Sequence, residues 1–161
     1  MELTIAPKSI LQIDDARIIY RNFAGAAGKF NREGDRSFSV VIPTEEIADA
    51  LVNDRNKFGV GWNVVVKPPR EEGDVPFMHL KVKVKFSDYG PAIYLHSGNR
   101  VTKLDEESVA CLDKIDISHV DLDIRPYDDE INGKPFRAAY LKEIHVIQEV
   151  DRFMERYSNA E

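Results

Sequence analysis

The sequence has a single cysteine, no long apolar run and no excess of basic residues. Cys111 alone allows neither an intramolecular disulfide nor a zinc site made of cysteines, and we expect its small side chain to be buried. No stretch has the length of a membrane span, and Met1–Thr4 does not open a signal peptide. The formal net charge of -6 argues against a generally basic coat for nucleic acid. We therefore expect a soluble protein of a reducing cytoplasm, with no membrane contact.

Patterns typical of catalysis are also missing. The four histidines show no metal-ligand spacing such as His-x-x-x-His, and no Gly-x-Ser-x-Gly turn occurs. Asp121 and Asp123 would share one strand face and could hold a hydrated magnesium ion with a third carboxylate. The solvated face of an antiparallel strand explains the same pair. We predict that the protein is not an enzyme and has neither a metal nor a cofactor, with a metal-dependent nuclease as an alternative.

Short segments rich in β-branched and aromatic residues predict many strands. They are 16–23, 36–42, 62–67, 79–86, 92–96, 100–104, 120–125 and 136–148. Thr44 can cap a short helix after the second of these strands, and Asn132-Gly133 is a tight-turn pair before the last one. The apolar phase slips between Leu141 and Ile144, which predicts a β-bulge. The predicted fold class is mainly β with short helices, arranged as an antiparallel barrel or sandwich.

We expect one domain over residues 1–161. Residues 1–15 have little pattern and are expected to form an N-terminal arm, and 150–161 a C-terminal helical turn. Residues 89–114 are expected to be an insertion with a short helix at 105–112, and 128–134 a connecting loop. Trp62 and Tyr20 are expected in the core.

Alternation is strict in the segment His79–Phe86, which we call the lysine strand. Its apolar residues alternate with Lys81, Lys83 and Lys85, so the apolar set faces a core and the ammonium groups share the other face. Lysines at this spacing lie about 7 Å apart, close to the phosphate repeat of an extended single nucleic-acid strand. Lysines on a solvated strand face that guard a sheet edge are the alternative interpretation.

Basic and aromatic residues near the lysine strand favour nucleic-acid binding. A sequence-tolerant single-strand binder needs a cationic groove and aromatic rings on which bases can stack. Phe30, in a polar loop, is expected to be exposed. The candidate nucleic-acid-binding residues are Arg17, Arg21, Lys29, Phe30, Arg32, Arg36, Lys81, Lys83, Lys85, Tyr89 and Tyr94.

Two segments resemble the phage-encoded OB-fold single-stranded DNA-binding proteins. One is 16–23 followed by 36–43 and a helix, and the other is 120–127, the turn at 132–134 and the strand returning to 147–150. The resemblance implies an OB-fold-like β-barrel, with 89–114 as an insertion, that holds single-stranded DNA without strong sequence preference. It also implies a role in phage DNA replication or recombination, in the cytoplasm of the host cell.

The chief alternative is an acidic phage protein that binds and inhibits a host defence or replication factor. Its support is the net charge and the carboxylates between Asp105 and Asp123. Besides single-stranded DNA, the partners that we consider are phage or host replication and recombination proteins and a second copy of the chain in a homodimer.

Overall fold

The computed structural model describes residues 1–74 and 76–150. Its strands are β1 (Glu2–Ala6), β2 (Ile10–Asp14), β3 (Ile18–Asn22), β4 (Arg36–Ile42), β5 (Val64–Lys67), β6 (Phe77–Val84), β7 (Ala92–Ser97), β8 (Arg100–Leu104), β9 (Ile117–Ile131) and β10 (Lys134–Gln148). The helix α1 (Glu45–Asn53) follows β4, and 3-10 helices cover Pro7–Ser9 and Val109–Asp113. The mainly β fold class is therefore confirmed. The predicted C-terminal helical turn lies, apart from Val150, outside the described residues.

The strands form one sheet in the order β1-β2-β9-β10-β6-β4-β3, with β5 beside β6, and β7 between β10 and β8. Most neighbours are antiparallel, but β10 runs parallel to β6 at Tyr140–Lys83 and parallel to β7 at Ile144–Ile93. The expectation of a purely antiparallel sheet was therefore wrong. Parallel neighbours need a long crossover connection, and between β7 and β10 this connection consists of β8 and β9 and contains no long helix. The barrel remains open. The amide of Ala16, between β2 and β3, donates to the carbonyl of Val120 in β9 at 2.8 Å.

The longest pairing in the sheet is the β9–β10 hairpin, so the two strands flanking the predicted Asn-Gly turn pair with each other antiparallel. A loop over 128–134 was expected, but the strands continue to Ile131 and Lys134. The connection is only Asn132 and Gly133, whose φ angles of 52° and 78° suit a tight primed turn. The predicted bulge is confirmed by a register shift between Leu141 and Glu143.

The core lies on the inner face of the sheet. Leu80, Val82 and Val84 of β6 are buried, as the alternation of the lysine strand predicts. Trp62 is buried as expected, but Tyr20 is 58% exposed. The prediction for Tyr20 was wrong because the register of β3 shifts after Ile19, and Tyr20 takes a positive φ of 52° there.

Residues 1–15 form a β-hairpin, where we expected an arm of undefined structure. β1 pairs with β2, and β2 pairs with β9 through Leu11–Ile124 and Ile13–Leu122. Leu11 and Ile13 are fully or almost fully buried. The apolar residues of this segment show little periodic pattern, and it is the contact with β9 that makes the hairpin part of the sheet.

The insertion adds the β7–β8 hairpin, and β7 continues the sheet beside β10. The helix expected at 105–112 is only the 3-10 helix Val109–Asp113. The carboxylate of Asp105 accepts bonds from the amides of Glu107 and Ser108, and this local turn competes with the helix. Cys111 is exposed, so its expected burial was wrong.

Arg137 joins the β9–β10 hairpin to the end of α1. Its Nε and Nη2 donate to the Asp128 carboxylate at 2.7 and 3.2 Å. Its Nη1 donates to the carbonyl of Asp54 at 2.6 Å and lies 3.3 Å from the Asp54 carboxylate. The guanidinium also lies 5.0 Å from the ring centroid of Trp62. Arg137, Asp128, Asp54 and Trp62 are called the Arg137 cluster below.

Two further bonds connect the Arg137 cluster to the chain around it. Asn56 Nδ2 donates to Asp128 at 2.8 Å, and Ser9 Oγ donates to Asp54 at 3.2 Å. Burial by itself would raise the pKa of Asp128, but the bonds from Arg137 and Asn56 outweigh it and leave that pKa below its usual value. A depressed folded-state pKa means that this contribution to stability is complete above the unfolded pKa and is lost as the pH falls through the folded one.

Arg137→Ala is expected to destabilise the protein by about 3–5 kcal/mol, because it leaves two carboxylates partly buried without their cation. The matched control is Arg100→Ala at the exposed start of β8, which is expected to stay within about 0.5 kcal/mol of wild type. Urea unfolding followed by circular dichroism measures both. Equal unfolding midpoints for the two variants would show that the Arg137 cluster contributes little.

Candidate nucleic-acid interface

A groove of about 470 Å³ lies where β6 ends, at one side of the open barrel. Its walls combine the outer face of β4 and β6 with the loop before β4 and one residue of β10. The charged and aromatic side chains that line it are Phe30, Asp35, Arg36, Lys81, Lys83, Lys85, Phe86, Glu106 and Tyr140. The structure therefore brings Phe30, Arg36 and all three lysines of the lysine strand to one place.

A row of side chains crosses four strands, from Ser37, Lys83 and Tyr140 in the groove lining to Arg125 beside it. Ser37 of β4 pairs with Lys83 of β6, Lys83 with Tyr140 of β10, and Tyr140 with Arg125 of β9. Directly paired residues point to the same face of a sheet, so an ammonium group, a phenol ring and a guanidinium are side by side. The guanidinium carbon of Arg125 lies 5.1 Å from the centroid of the Tyr140 ring. Cations and an aromatic face thus occupy adjacent positions.

The outer face of the β9–β10 hairpin extends this row with two more rings. The ring of Tyr127 is edge-on to Tyr140 at 5.7 Å and lies 6.1 Å from Phe136. Phe136 also lines a smaller cavity of about 230 Å³ together with Lys81 and Lys83. Hydrogen bonding to Asp129 raises the pKa of Tyr127, so its hydroxyl stays protonated. These three rings form an aromatic surface beside the lysines.

This aromatic surface was not among the predicted binding residues. The predicted strand ended at Arg125 and the predicted loop began at residue 128, so Tyr127 was assigned to neither, although it continues the outward phase of Arg125. Tyr140 lies on the outer face before the bulge. Counting alternate residues of β10 back from its C-terminal end, without the bulge, assigns Tyr140 to the inner face. Period-two counting from Arg125 and from Phe136 would have found both rings.

The loop between β3 and β4 forms one wall of the groove and carries Phe30 at 93% exposure. Asn31 orders this loop, because its Nδ2 lies within 3.1 Å of the carbonyls of Ala26, Arg32 and Asp35. The ammonium of Lys29 lies 5.5 Å from the Phe30 ring centroid. Lys29 and Arg32 are exposed in the same loop but do not line the groove. Phe30 is thus the exposed loop ring that the sequence predicts.

Arg36 is the one guanidinium among the groove's lining residues. Its Nη1 lies 3.3 Å from the Glu106 carboxylate, and its guanidinium carbon lies 5.6 Å from the Phe86 ring centroid. Its Nε is buried and has no hydrogen-bond partner within residues 1–74 and 76–150. Arg36 is therefore only partly committed to contacts with the protein.

Arg17 and Arg21 lie elsewhere, in a second cavity of about 500 Å³ that also contains Asp15, Asp116 and Glu149. Arg21 Nη1 donates to the carbonyls of Leu112 and Ile115 at 2.7 and 2.8 Å. These bonds fasten β3 to the 3-10 helix Val109–Asp113 and to the residues just after it. Both arginines are thus separate from the lysine groove, and Arg21 has a structural partner.

The two predicted tyrosines are also outside the groove's lining. Tyr94 stacks on His145, with ring centroids 4.8 Å apart and an interplanar angle of 12°. Tyr89 is fully exposed in the turn between Ser87 and Gly90, just beyond the lysine strand. Neither ring is placed beside the lysines as Tyr140 is.

The outer face of β9–β10 changes from basic to acidic between the pair Arg125–Tyr140 and the next outward pair, Asp123–Glu143. Beyond Arg125, the next outward pair is Asp123 with Glu143, and the one after is Asp121 with His145. Burial and, second, the Glu143 carboxylate raise the pKa of Asp123. Phosphates are repelled from this region, so the bulge marks the acidic limit of the groove.

The arrangement is suited to holding a polyanion with exposed rings. Lysines and arginine bind phosphates through charge, while tyrosine and phenylalanine rings accept bases of any identity. Within the described ranges, no group of three or more His, Cys, Asp or Glu residues is arranged to hold a metal ion. The same part of the chain contains no helix of the length and apolarity that would cross a membrane.

Comparisons with known proteins place this geometry in a family. The family described as "Putative phage ssDNA-binding domain" matches residues 3–161. No curated protein matches the sequence. Among solved structures, the single-stranded DNA-binding protein from bacteriophage Enc34 matches with a TM-score of 0.53 and 16% identity, over 95% of this chain and 93% of the other. The same protein in complex with ssDNA matches with a TM-score of 0.54 and 15% identity, over 94% and 93% of the two chains.

A C-terminally truncated form of that protein matches with a TM-score of 0.53 and 14% identity, over 92% of this chain and 91% of the other. At these identities the structural matches establish the fold, which is OB-like with an open barrel. The family match extends over nearly the whole chain, from residue 3 to residue 161. The chain therefore belongs to the phage ssDNA-binding domain family.

Proposed function

We propose that the protein binds single-stranded DNA along the lysine groove, without strong sequence preference. The observation that carries this proposal is the row Lys83–Tyr140–Arg125, which puts cations and an aromatic face side by side on an exposed sheet face. Family membership supports it, as does the solved complex of the Enc34 protein with ssDNA.

The phosphates follow the outward lysines of β6. Lys81 and Lys83 point to the same face, and Lys85 lies just past the end of the strand. Their spacing of about 7 Å lets each ammonium serve one phosphate of an extended strand. Arg36, in the same groove, adds a cation at the end of this line. The groove thus neutralises charge locally although the whole chain is anionic.

The bases stack on the rings beside this line. Tyr140 is directly next to Lys83, and Tyr127 and Phe136 continue the aromatic surface along the hairpin. Phe30 approaches from the opposite loop wall. Ring faces take every base, so this arrangement is tolerant of sequence. Arg17, Arg21 and Tyr94 do not belong to the proposed path.

The proposed setting is phage DNA replication or recombination in the cytoplasm of the host cell. The protein acts there by coating single strands and has no catalytic role. The ten strands of one sheet support the proposal that the chain works as a single domain. Phage or host replication proteins and a second copy of the chain are proposed as further partners.

A second candidate function has one observation in its favour. The acidic outer face around Asp121, Asp123 and Glu143 would suit a basic surface of a host protein, as in an inhibitor of a defence or replication factor. The groove and the family membership favour DNA binding over this alternative.

Replacing Lys81, Lys83 and Lys85 by alanine is expected to flatten the log–log salt dependence of DNA binding by about two units, because each phosphate contact on a single strand contributes roughly 0.7. Fluorescence anisotropy of a labelled oligonucleotide against salt measures this. The control replaces Lys8, Lys103 and Lys114 by alanine. These lysines are exposed and lie outside the groove lining, so the control removes the same charge from another part of the surface. If both triple variants change the slope equally, net charge and not the groove governs binding.

Tyr140→Ala is expected to weaken binding to single-stranded DNA by about 1–3 kcal/mol with little change in the salt slope, because a stacking ring is lost and no cation is. The same titration measures it. Tyr94→Ala removes a similarly half-buried tyrosine beside the acidic face and serves as the control. If only the Tyr94 variant loses affinity, the bases stack beside β7 and the acidic face and not on Tyr140, and the proposed path is wrong.

No hydrolysis of single-stranded or duplex DNA is expected with or without magnesium. Asp121 Oδ1 accepts a hydrogen bond from His119 Nε2 at 2.8 Å, and this pairing is a local structural contact. The measurement is incubation of labelled DNA with purified protein and magnesium, followed by gel electrophoresis. Cleavage that disappears in Asp121→Ala or Asp123→Ala would instead support the nuclease alternative.

A further inference from the structure

The outer face of β6 continues past the lysines into a second group of side chains, which we call the β6 aromatic patch. It consists of Phe77 and His79 of β6, Tyr20 of β3 and Lys67 of β5. The ring of Tyr20 is edge-on to His79 at 5.5 Å, and Phe77 lies 5.6 Å from His79. Tyr20 and Phe77 are 58% and 37% exposed, so two aromatic surfaces here are open to a ligand.

His79 is a buried polar group whose hydrogen-bonding capacity is unused. It is only 8% exposed. Neither Nδ1 nor Nε2 has a hydrogen-bond partner within the described part of the chain. An unpaired buried polar group lowers the stability of the folded protein, and a ligand that supplies the missing hydrogen bond offsets this cost. Burial and, second, the charge of Lys67 lower the pKa of His79, so at neutral pH the ring offers one donor and one acceptor.

Tyr20 covers this imidazole without being firmly held. Its backbone has a φ of 52°, which is uncommon for a residue other than glycine. The register of β3 breaks between Ile19 and Asn22, so Tyr20 lies outside regular pairing. Its hydroxyl accepts a bond of 3.2 Å from Lys67, and that ammonium lies 5.4 Å from the ring centroid. Both contacts are exposed and are made by long, flexible side chains, so a ligand can replace them.

The β6 aromatic patch is in line with the lysine groove. Phe77, His79, Lys81 and Lys83 alternate with buried residues along one strand, so they share its outer face. Neighbours in this series are about 7 Å apart. A strand whose phosphates lie on Lys83 and Lys81 therefore reaches His79 with its next nucleotide.

We propose that Tyr20, Phe77 and His79 form a base-binding subsite for single-stranded DNA, in which a base stacks between the two exposed rings and hydrogen-bonds to His79. Lys67 takes the adjoining phosphate. This inference rests on the proposed function and adds to it the course of the DNA, which continues from the lysines along β6 toward β5. The other proposed contacts with bases are stacking contacts on exposed rings, whereas here the buried His79 would also hydrogen-bond to the edge of the base.

The test compares binding to labelled oligo-dT with binding to an abasic strand of the same length. Tyr20→Ala and Phe77→Ala are each expected to weaken oligo-dT binding about tenfold, because stacking on an aromatic residue is worth about 1–3 kcal/mol and 1.4 kcal/mol is tenfold. His79→Leu is expected to weaken it to a similar extent, because the hydrogen bond to the base edge is lost. The same variants are expected to bind the abasic strand like wild type. Lys67→Ala is expected to lower the salt slope by about 0.7 on both strands.

Two control variants separate stacking from other effects. Tyr20→Phe keeps the ring and is expected to retain oligo-dT binding. Phe58→Ala removes a phenylalanine of 36% exposure that also lies beside a lysine but is remote from β6 in the chain, and it is expected to have no effect. Circular dichroism confirms that each variant is folded.

The outcomes distinguish this inference from the proposed function. If wild type binds oligo-dT and the triple-lysine variant binds it weakly, while the patch variants bind like wild type, the subsite is wrong and the proposed function stands. Equal weakening on oligo-dT and on the abasic strand would also overturn the subsite, since no base would be involved. Patch variants that change only the sedimentation of the protein would assign the patch to a protein contact. Failure of wild type to bind either strand would overturn both proposals.

Discussion

The buried guanidinium of Arg137 fixes the position of the surface that we assign to DNA. Taking a cation out of water is costly, and Arg137 offsets this cost through bonds to Asp128 and Asp54 and contact with Trp62. Since side chains alternate along β10, holding Arg137 inward turns Phe136 outward, and the same phase carries Tyr140 to the outer face. The polar core cluster and the exposed aromatic surface are thus two faces of one hairpin.

Charge segregation lets an anionic chain present a cationic groove. The lysines and Arg125 lie on one side of the bulge in β10, while Asp123 and Glu143 lie on the other. At about 0.1 M salt, charges separated by more than roughly 10 Å are largely screened, so the acidic side limits the groove without cancelling it. The bulge itself sets this boundary, because it keeps both Tyr140 and Glu143 on the outer face.

The features that could be predicted from the sequence are those that depend on residues close together in the chain. Alternation located the lysine strand, the Asn-Gly pair located the hairpin turn, and a phase slip located the bulge. The parallel pairs of β10, the N-terminal hairpin and the structural role of Arg21 depend on residues distant in the chain, and no local period records them. For the candidate site, periodicity and loop composition predicted the lysines and Phe30, which the structure places in one groove, whereas Tyr140 required the cross-strand register with Lys83.

The groove is lined by two carboxylates, Asp35 and Glu106, and the contact of Glu106 with Arg36 bears on how DNA would bind. Glu106 lies 3.3 Å from Arg36, but the carboxylate is largely exposed, and exposed ion pairs are worth at most about 1 kcal/mol. A phosphate can therefore take the place of Glu106 at small cost, and Arg36 then also gains a partner of denser charge. His79 represents the opposite case, since it has no partner among the described residues and nothing to exchange. Phosphate binding along the groove would thus exchange one partner of Arg36 for another. Base binding at the β6 aromatic patch would replace the contacts between Tyr20 and Lys67 and give His79 a hydrogen-bond partner that residues 1–74 and 76–150 do not supply.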